Sequence, residues 1–216
     1  MRFLFGQKKR PYLVGSFVAI LLTGLAAKVT AFNIFDGSSL GESWNLGSNW
    51  SANSTPQPSD GVVLNSSSLA FGSASTLDAS YTFQTLSFDT GSAPVSIDAN
   101  RTGTTAQALT LNGGVDALGA SGNLIDLSST TTGAVNIGTN TTAGTLNVML
   151  GANGAFNIGN ASAVLNFGSN SIISGASNFS LTGEGTLILA GANSFDGSGH
   201  SFTLGAGATL CINNAS

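Results

Sequence analysis

Basic side chains all but vanish from this sequence once the segment ending at Ala31 is set aside. Arg2, Lys8, Lys9, Arg10 and Lys28 fall within that segment, and only Arg101 lies beyond it. All ten acids lie beyond it, so residues 32–216 set one positive charge against ten negative ones, a formal −9. Nucleic-acid binding rests on clustered Lys and Arg, and so does adhesion to anionic lipid. Both classes are excluded, and no nucleic-acid partner is expected. Cysteine is nearly absent too. Cys211 alone closes no intramolecular disulfide, so something other than bridges holds the fold. It reads as a small apolar residue within "ATLCIN", or else as a thiol for intermolecular pairing. Long helical patterns are also missing. No stretch after Ala31 keeps the apolar period of a helix over three turns.

Scarce charge does not mean disorder here. Disordered chains combine low hydrophobicity with high net charge, whereas 42% of this chain is hydrophobic. The polar positions are filled by Ser, Thr, Asn and Gly. A chain of this length buries roughly 70% of its unfolded surface, and one elongated domain is the simplest organisation.

The segment Met1 to Ala31 reads as a helical N-terminal signal peptide. Arg2, Lys8, Lys9 and Arg10 form its positive start, and "LVGSFVAILLTGLAA" is a 15-residue apolar run. That run is short of the ~20 residues that span a bilayer. Small residues at Val29-Thr30-Ala31 place cleavage after Ala31. Membrane contact is then expected only during export.

Residues 32–60 form a second segment. They hold Trp44, Trp50, Pro56 and Pro58 within "SWNLGSNWSANSTPQPSDGVVL". The tryptophans would either stack on sugars or plug the end of a repeat array, which must cap its ends.

From residue 61 to 216 the chain is monotonous. Apolar-x-apolar pairs recur: Leu86/Phe88, Val95/Ile97, Leu109/Leu111, Val135/Ile137, Leu146/Val148, Phe156/Ile158, Leu165/Phe167, Phe179/Leu181, Leu187/Leu189, Phe202/Leu204 and Leu210/Ile212. Each has the period of two that marks a half-buried strand. In the middle, "VNIGTN", "LNVMLGAN", "FNIGN" and "LNFGSN" share one pattern, with Asn at 136, 147, 157 and 166. Units this short bury no apolar face alone and must stack. An antiparallel barrel or sandwich would use the turns as hairpins. A parallel β-solenoid would use them as corners. Mid-sized apolar residues, Asn/Ser/Thr ladders and missing Lys and Glu favour the solenoid, because identical uncharged side chains stack without repulsion.

The stretch "GEGTLILAGANSFDGSGHSFTLGAGATL", residues 183–210, adds a specific signal. Gly183, Gly185, Thr186, Leu187, Leu189, Gly191, Asn193, Phe195 and Gly197 follow the pattern G-x-G-T-L-x-L-x-G-x-N-x-[YF]-x-G. Thr209 and Leu210 follow its closing G-T-L, with Ala208 where that has Gly. This stretch resembles the autotransporter-associated β-strand repeat, also called the passenger-associated transport repeat. The resemblance implies an all-β, right-handed parallel β-helix, exported to the surface of a Gram-negative-type bacterium or beyond as a passenger or stalk. Many such proteins carry a C-terminal outer-membrane barrel, which this sequence does not contain. Leu210-Cys211-Ile212 reads as a strand opening a coil the sequence does not complete, as in a truncated gene, a fragment, or a subunit stacking on another copy.

Chemistry is thinly provided. His200 and Asp196 share one turn, either as a functional pair or as a solvent-facing corner, and a metal site needs more ligands. Glycoside hydrolysis needs two carboxylates facing one bond. The acids Asp36, Glu42, Asp60, Asp78, Asp89, Asp98, Asp116, Asp126, Glu184 and Asp196 look scattered. "NGGVD", ending at Asp116, reads as a turn. No catalytic residue, metal or cofactor is expected. The expected role is a structural or adhesin-like surface protein whose partners are surface glycans or other copies of itself. The alternative is a carbohydrate-binding or polysaccharide-degrading β-helix.

Overall fold

A computed structural model describes residues 32–35, 43–65, 74–99, 103–116, 119–120, 122–195 and 199–213. Residues 1–31, read above as a signal peptide, together with Arg101, Asp196 and Gly197, lie outside the described residues.

Strand β1 (Phe32–Phe35) is followed by a short 3-10 turn, Gly47–Asn49. The chain then repeats a three-strand circuit. The first circuit is β2 (Gly61–Asn65), β3 (Ala74–Leu77) and β4 (Tyr81–Phe83). The second is β5 (Thr85–Asp89), β6 (Val95–Ala99) and β7 (Gln107–Leu111). The third is β8 (Asn123–Leu127), β9 (Ala134–Ile137) and β10 (Leu146–Leu150). The fourth is β11 (Gly154–Ile158), β12 (Val164–Phe167) and β13 (Ser171–Gly175). The fifth is β14 (Phe179–Gly183), β15 (Thr186–Leu189) and β16 (Ser194–Phe195), and a sixth opens with β17 (Phe202–Leu204) and β18 (Thr209–Ile212).

Equivalent strands lie on one another. The first face runs β1-β2-β5-β8-β11-β14-β17, the second β3-β6-β9-β12-β15-β18, and the third β4-β7-β10-β13-β16. All the strand pairings described within these faces are parallel. The molecule is a three-faced parallel β-solenoid. The hairpin alternative fails at its own test, because β10 and β11 sit on different faces.

Period-two patterning explains the faces. The apolar pairs read from the sequence all fall in strands and point inward, where they stack in register. One column runs Val62, Leu86, Ile125, Phe156, Leu181, Leu204, and another runs Ile97, Ile137, Phe167, Leu189, Ile212. Most members are fully buried. Stacked apolar columns provide the hydrophobic stabilisation, roughly 25 cal/mol per Å² removed from water.

Outward positions carry the ladders. Asn136, Asn147, Asn157 and Asn166 sit on β9, β10, β11 and β12. The repeat in the sequence is therefore one face long, not one circuit long. Asn136 and Asn166 share the second face in register, and Asn166 Nδ2 donates to Asn136 Oδ1 at 3.1 Å. The Asn that follows each Gly staples a corner instead. Asn170 Nδ2 donates to the carbonyls of Asn140 (2.9 Å) and Ala143 (2.8 Å), and Asn160 Nδ2 donates to that of Ser129 (2.8 Å).

The two ends differ. At β1, Trp44 and Trp50 are buried edge to face with centroids 5.1 Å apart, alongside Phe35. Trp44 also lies against Tyr81 and Phe83. Both indoles are inside and offer no face to a sugar; this is the placement of a plug. Burial, with the Asp78 charge adding to it, pushes the Tyr81 phenol up to about 12. At the other end, Phe202, Leu204 and Ile212 continue the inward columns but are exposed, Ile212 by 71%.

Candidate functional site: a carboxyl pair beneath a corner insertion

Three corners between the third and first faces are tight. Gln84 alone links β4 to β5, and Gly151-Ala152-Asn153 and Ala176-Ser177-Asn178 link β10 to β11 and β13 to β14. Between β7 and β8 the same corner holds residues 112–122. Long excursions from a regular scaffold are where function concentrates.

The excursion opens at Gly113, whose φ of +75° is the left-handed region that glycine adopts freely. Gly113 N donates to Gln84 O at 2.9 Å, and Gly122 N to Gly114 O at 3.2 Å. Between them Asp116 is fully buried. Its Oδ1 accepts from Ala120 N at 2.9 Å and its Oδ2 from Asn123 Nδ2 at 2.8 Å. Asp126 on β8, 3% exposed, neighbours it closely enough for Asp116 to raise the Asp126 carboxyl. Asn157, one rung on, donates to Asp126 Oδ1 at 2.7 Å, and Thr182 Oγ1 donates to Asn157 Oδ1 at 3.2 Å.

Neighbouring carboxylates in a buried site do not both ionise cheaply. Burial pushes the Asp126 carboxyl up to about 6. The Asn157 amide pulls it down, and the adjoining Asp116 raises it further. In the sequence these acids look scattered, because Asp116 stands in an irregular corner and no period links it to Asp126. The one available signal is the long gap between the Leu109/Leu111 and Val135/Ile137 pairs.

This arrangement does not match glycoside chemistry as it stands. Hydrolysis needs the carboxyls on either side of a bond, about 5–9.5 Å apart. Here they face each other and are closed to a substrate. Among the described residues no group of three or more His, Cys, Asp or Glu could hold a metal ion.

The remaining described acids are mostly corner fastenings. Asp60 Oδ2 accepts from Gln57 N at 2.8 Å, Asp98 Oδ1 from Asn140 N at 3.0 Å, and Asp89 Oδ1 from Ser128 Oγ at 2.8 Å and from Thr130 Oγ1. Ser43 Oγ donates to Asp78. Glu184 and His200 are exposed, and so is Cys211 on β18.

The repeat motif takes a structural position throughout its described residues. Gly183 ends β14 at φ +87°, and Gly185 is buried in the next corner. Thr186, Leu187 and Leu189 form β15, with both leucines inward. Gly191 packs so tightly that a Cβ there would sit 1.9 Å from Ser171 O. Asn193 Oδ1 accepts from Ile173 N at 3.0 Å, and its Nδ2 donates to Gly191 O at 2.9 Å, fastening this corner to the rung below. Phe195 ends β16.

Comparison with protein-family models, curated proteins and solved structures returns no match. No helix among the described residues is long and apolar enough to cross a membrane.

Proposed function

We propose that this chain is a secreted or cell-surface β-solenoid of the autotransporter-associated repeat type, acting as a structural, adhesin-like passenger without catalytic activity. The observation that carries this reading is the use made of the acids. Among the described residues, Asp60, Asp78, Asp89, Asp98, Asp116 and Asp126 are all hydrogen-bonded into corners or ladders, which leaves Glu184 as the exposed exception. They serve the scaffold. The uncharged outer ladders suit neutral surface glycans, whose hydroxyls pair with Asn, Ser and Thr. The open last rung suits further β-stacking, including against another copy. The basic-then-apolar start of the sequence fits export in a Gram-negative-type bacterium, with no cofactor required.

One observation bears on the second reading, a polysaccharide-degrading β-helix: Asp116 and Asp126 are neighbours, although both are buried.

Expression of the full chain in a Gram-negative host tests both. The expected result is an exported species beginning at Phe32 that binds immobilised glycans and releases no reducing ends from polysaccharides. Retention in the cytoplasm would overturn the passenger reading. Hydrolysis that Asp116→Asn abolishes would establish the second.

A further inference from the structure

We propose that Asn140 is an acceptor site for an N-linked sugar, taken from a nucleotide-activated hexose by a transferase that acts on the folded solenoid. The proposal does not depend on whether the chain itself binds glycans.

Asn-x-Ser/Thr is the pattern that N-linked glycosylation requires. In a chain this rich in Asn, Ser and Thr it recurs by chance, so the pattern alone decides nothing. The structure separates the copies. Those lying wholly within the described residues open at Asn49, Asn53, Asn140, Asn160 and Asn178. Asn49 is fully buried, and its Nδ2 donates to Ser43 O at 2.8 Å. Asn160 Nδ2 donates to Ser129 O at 2.8 Å. Asn178 leads directly into β14, where Phe179 and Ser180 are paired with β11, and its Oδ1 accepts from Ser201 N at 2.7 Å. Asn53 is exposed, but among the described residues no hydroxyl donates to its Oδ1.

Asn140 is arranged differently. Its Oδ1 accepts from Thr142 N at 3.1 Å and from Thr142 Oγ1 at 2.8 Å. The hydroxyl of the pattern therefore already sits on the amide oxygen. A hydrogen bond there stabilises negative charge on that oxygen. The Nδ2 protons become easier to remove, which is what makes an amide nitrogen a nucleophile. Nδ2 itself donates to nothing among the described residues, so no bond is broken to present it.

The corner suits access. Residues 138–145 form the longest link between the second and third faces. Thr141 and Thr142 are exposed and Asn140 is half-buried. The base of the corner is held, because Asn140 N donates to Asp98 Oδ1 at 3.0 Å and Asn170 Nδ2 donates to Asn140 O at 2.9 Å. A surface excursion on a rigid scaffold is where such a reaction finds its substrate. In the transfer Nδ2 bonds to C1 of the sugar and gives one proton to the transferase. The C1–O bond to the nucleotide diphosphate breaks, and the diphosphate leaves with that electron pair.

The test treats the purified chain with a soluble N-glycosyltransferase of Asn-x-Ser/Thr specificity and UDP-glucose. Synthetic peptides covering the same patterns give the unstructured reference. Mass spectrometry should find hexose on Asn140 of the folded chain, ahead of Asn53. Asn49 and Asn160 must first give up a hydrogen bond, so they should lag by about tenfold or more. Asn178, held in the strand pairing, should lag as well, and the peptides should not share this order. Thr142 is exposed, so its replacement leaves the core intact. Thr142→Ala should abolish the addition at Asn140, and Thr142→Ser should retain it. Absence of hexose from Asn140 in the folded chain would overturn the proposal. Equal labelling of Asn140, Asn49 and Asn160 in the folded chain would overturn it too, as would undiminished labelling of Thr142→Ala.

Discussion

Replacing Trp44 by Ala tests how the solenoid closes its first end. The indole is fully buried and meets four rings, with centroids at 5.1 Å (Trp50), 5.7 Å (Tyr81), 6.1 Å (Phe83) and 6.2 Å (Phe35). An aromatic side chain of this kind buries about 150–250 Å², which at ~25 cal/mol per Å² is about 4–6 kcal/mol. The β-carbon that remains keeps part of this, and aromatic-to-Ala truncations in cores cost about 3–5 kcal/mol. No hydrogen bond offsets the sum, because Trp44 Nε1 is buried without a partner among the described residues. The Trp50 Nε1 bond to the Trp44 carbonyl, 2.9 Å, involves backbone and survives. A loss of about 4 kcal/mol is therefore expected in urea unfolding followed by circular dichroism. Phe202→Ala at the far end is the comparison. Phe202 is 38% exposed and has Phe179 at 4.7 Å, so about 1–2 kcal/mol is expected. Contacts in a solenoid run only between neighbouring rungs. Hydrogen exchange should therefore quicken in β1–β4 and not in β11–β13. A loss below about 1 kcal/mol, or one no larger than that of Phe202→Ala, would refute the plug.

Three further outcomes follow from the same geometry. Gly191→Ala puts a methyl against the Ser171 carbonyl, and a fall of about 3 kcal/mol or failure to accumulate is expected; a neutral effect on the melting temperature would contradict the tight corner. Asn166→Asp replaces the amide that donates to Asn136 Oδ1 with an acceptor; about 1–2 kcal/mol should be lost at neutral pH and regained below about pH 4, where the carboxyl can donate again, as urea midpoints would record. Because the described residues hold no Lys or Arg, raising NaCl should not lower the urea midpoint, and a drop worth more than about 0.5 kcal/mol would reveal an ion pair.

The strand pattern is readable because the inward columns are apolar and strictly alternate. Leu165/Phe167 and Leu187/Leu189 need nothing more than a period of two. Strands with polar or continuous inner faces escape it. β8 reads Asn-Leu-Ile-Asp-Leu and is buried at every position, because a bulge beside Asn123 breaks its alternation and Asp116 lies against Asn123. β13 begins with Ser171, buried through its Oγ bond to the Gly168 carbonyl. Trp44 and Trp50 are legible as unusual, but only the ring packing decides between sugar platform and plug. The neighbourhood of Asp116 and Asp126 is not legible at all. Asp116 sits in an excursion without period, and its contact with Asp126 depends on where that excursion lands.

The circuits differ in length, and this shapes how the solenoid would bear load. First-face strands begin at Gly61, Thr85, Asn123, Gly154, Phe179 and Phe202, so the circuit opened by β5 is the longest and the one opened by β14 the shortest. The backbone hydrogen bonds between rungs lie along the long axis. Tension applied at the two ends pulls each rung from its neighbour like a zipper, and does not shear many bonds together. With the β1 end plugged by aromatics, yielding begins at β17 and β18. Each circuit then releases its own length, about 80 Å of chain for the shortest and about 130 Å for the longest. A force trace would lengthen step by step toward the circuit opened by β5 and shorten again beyond it, spelling out the order of the circuits.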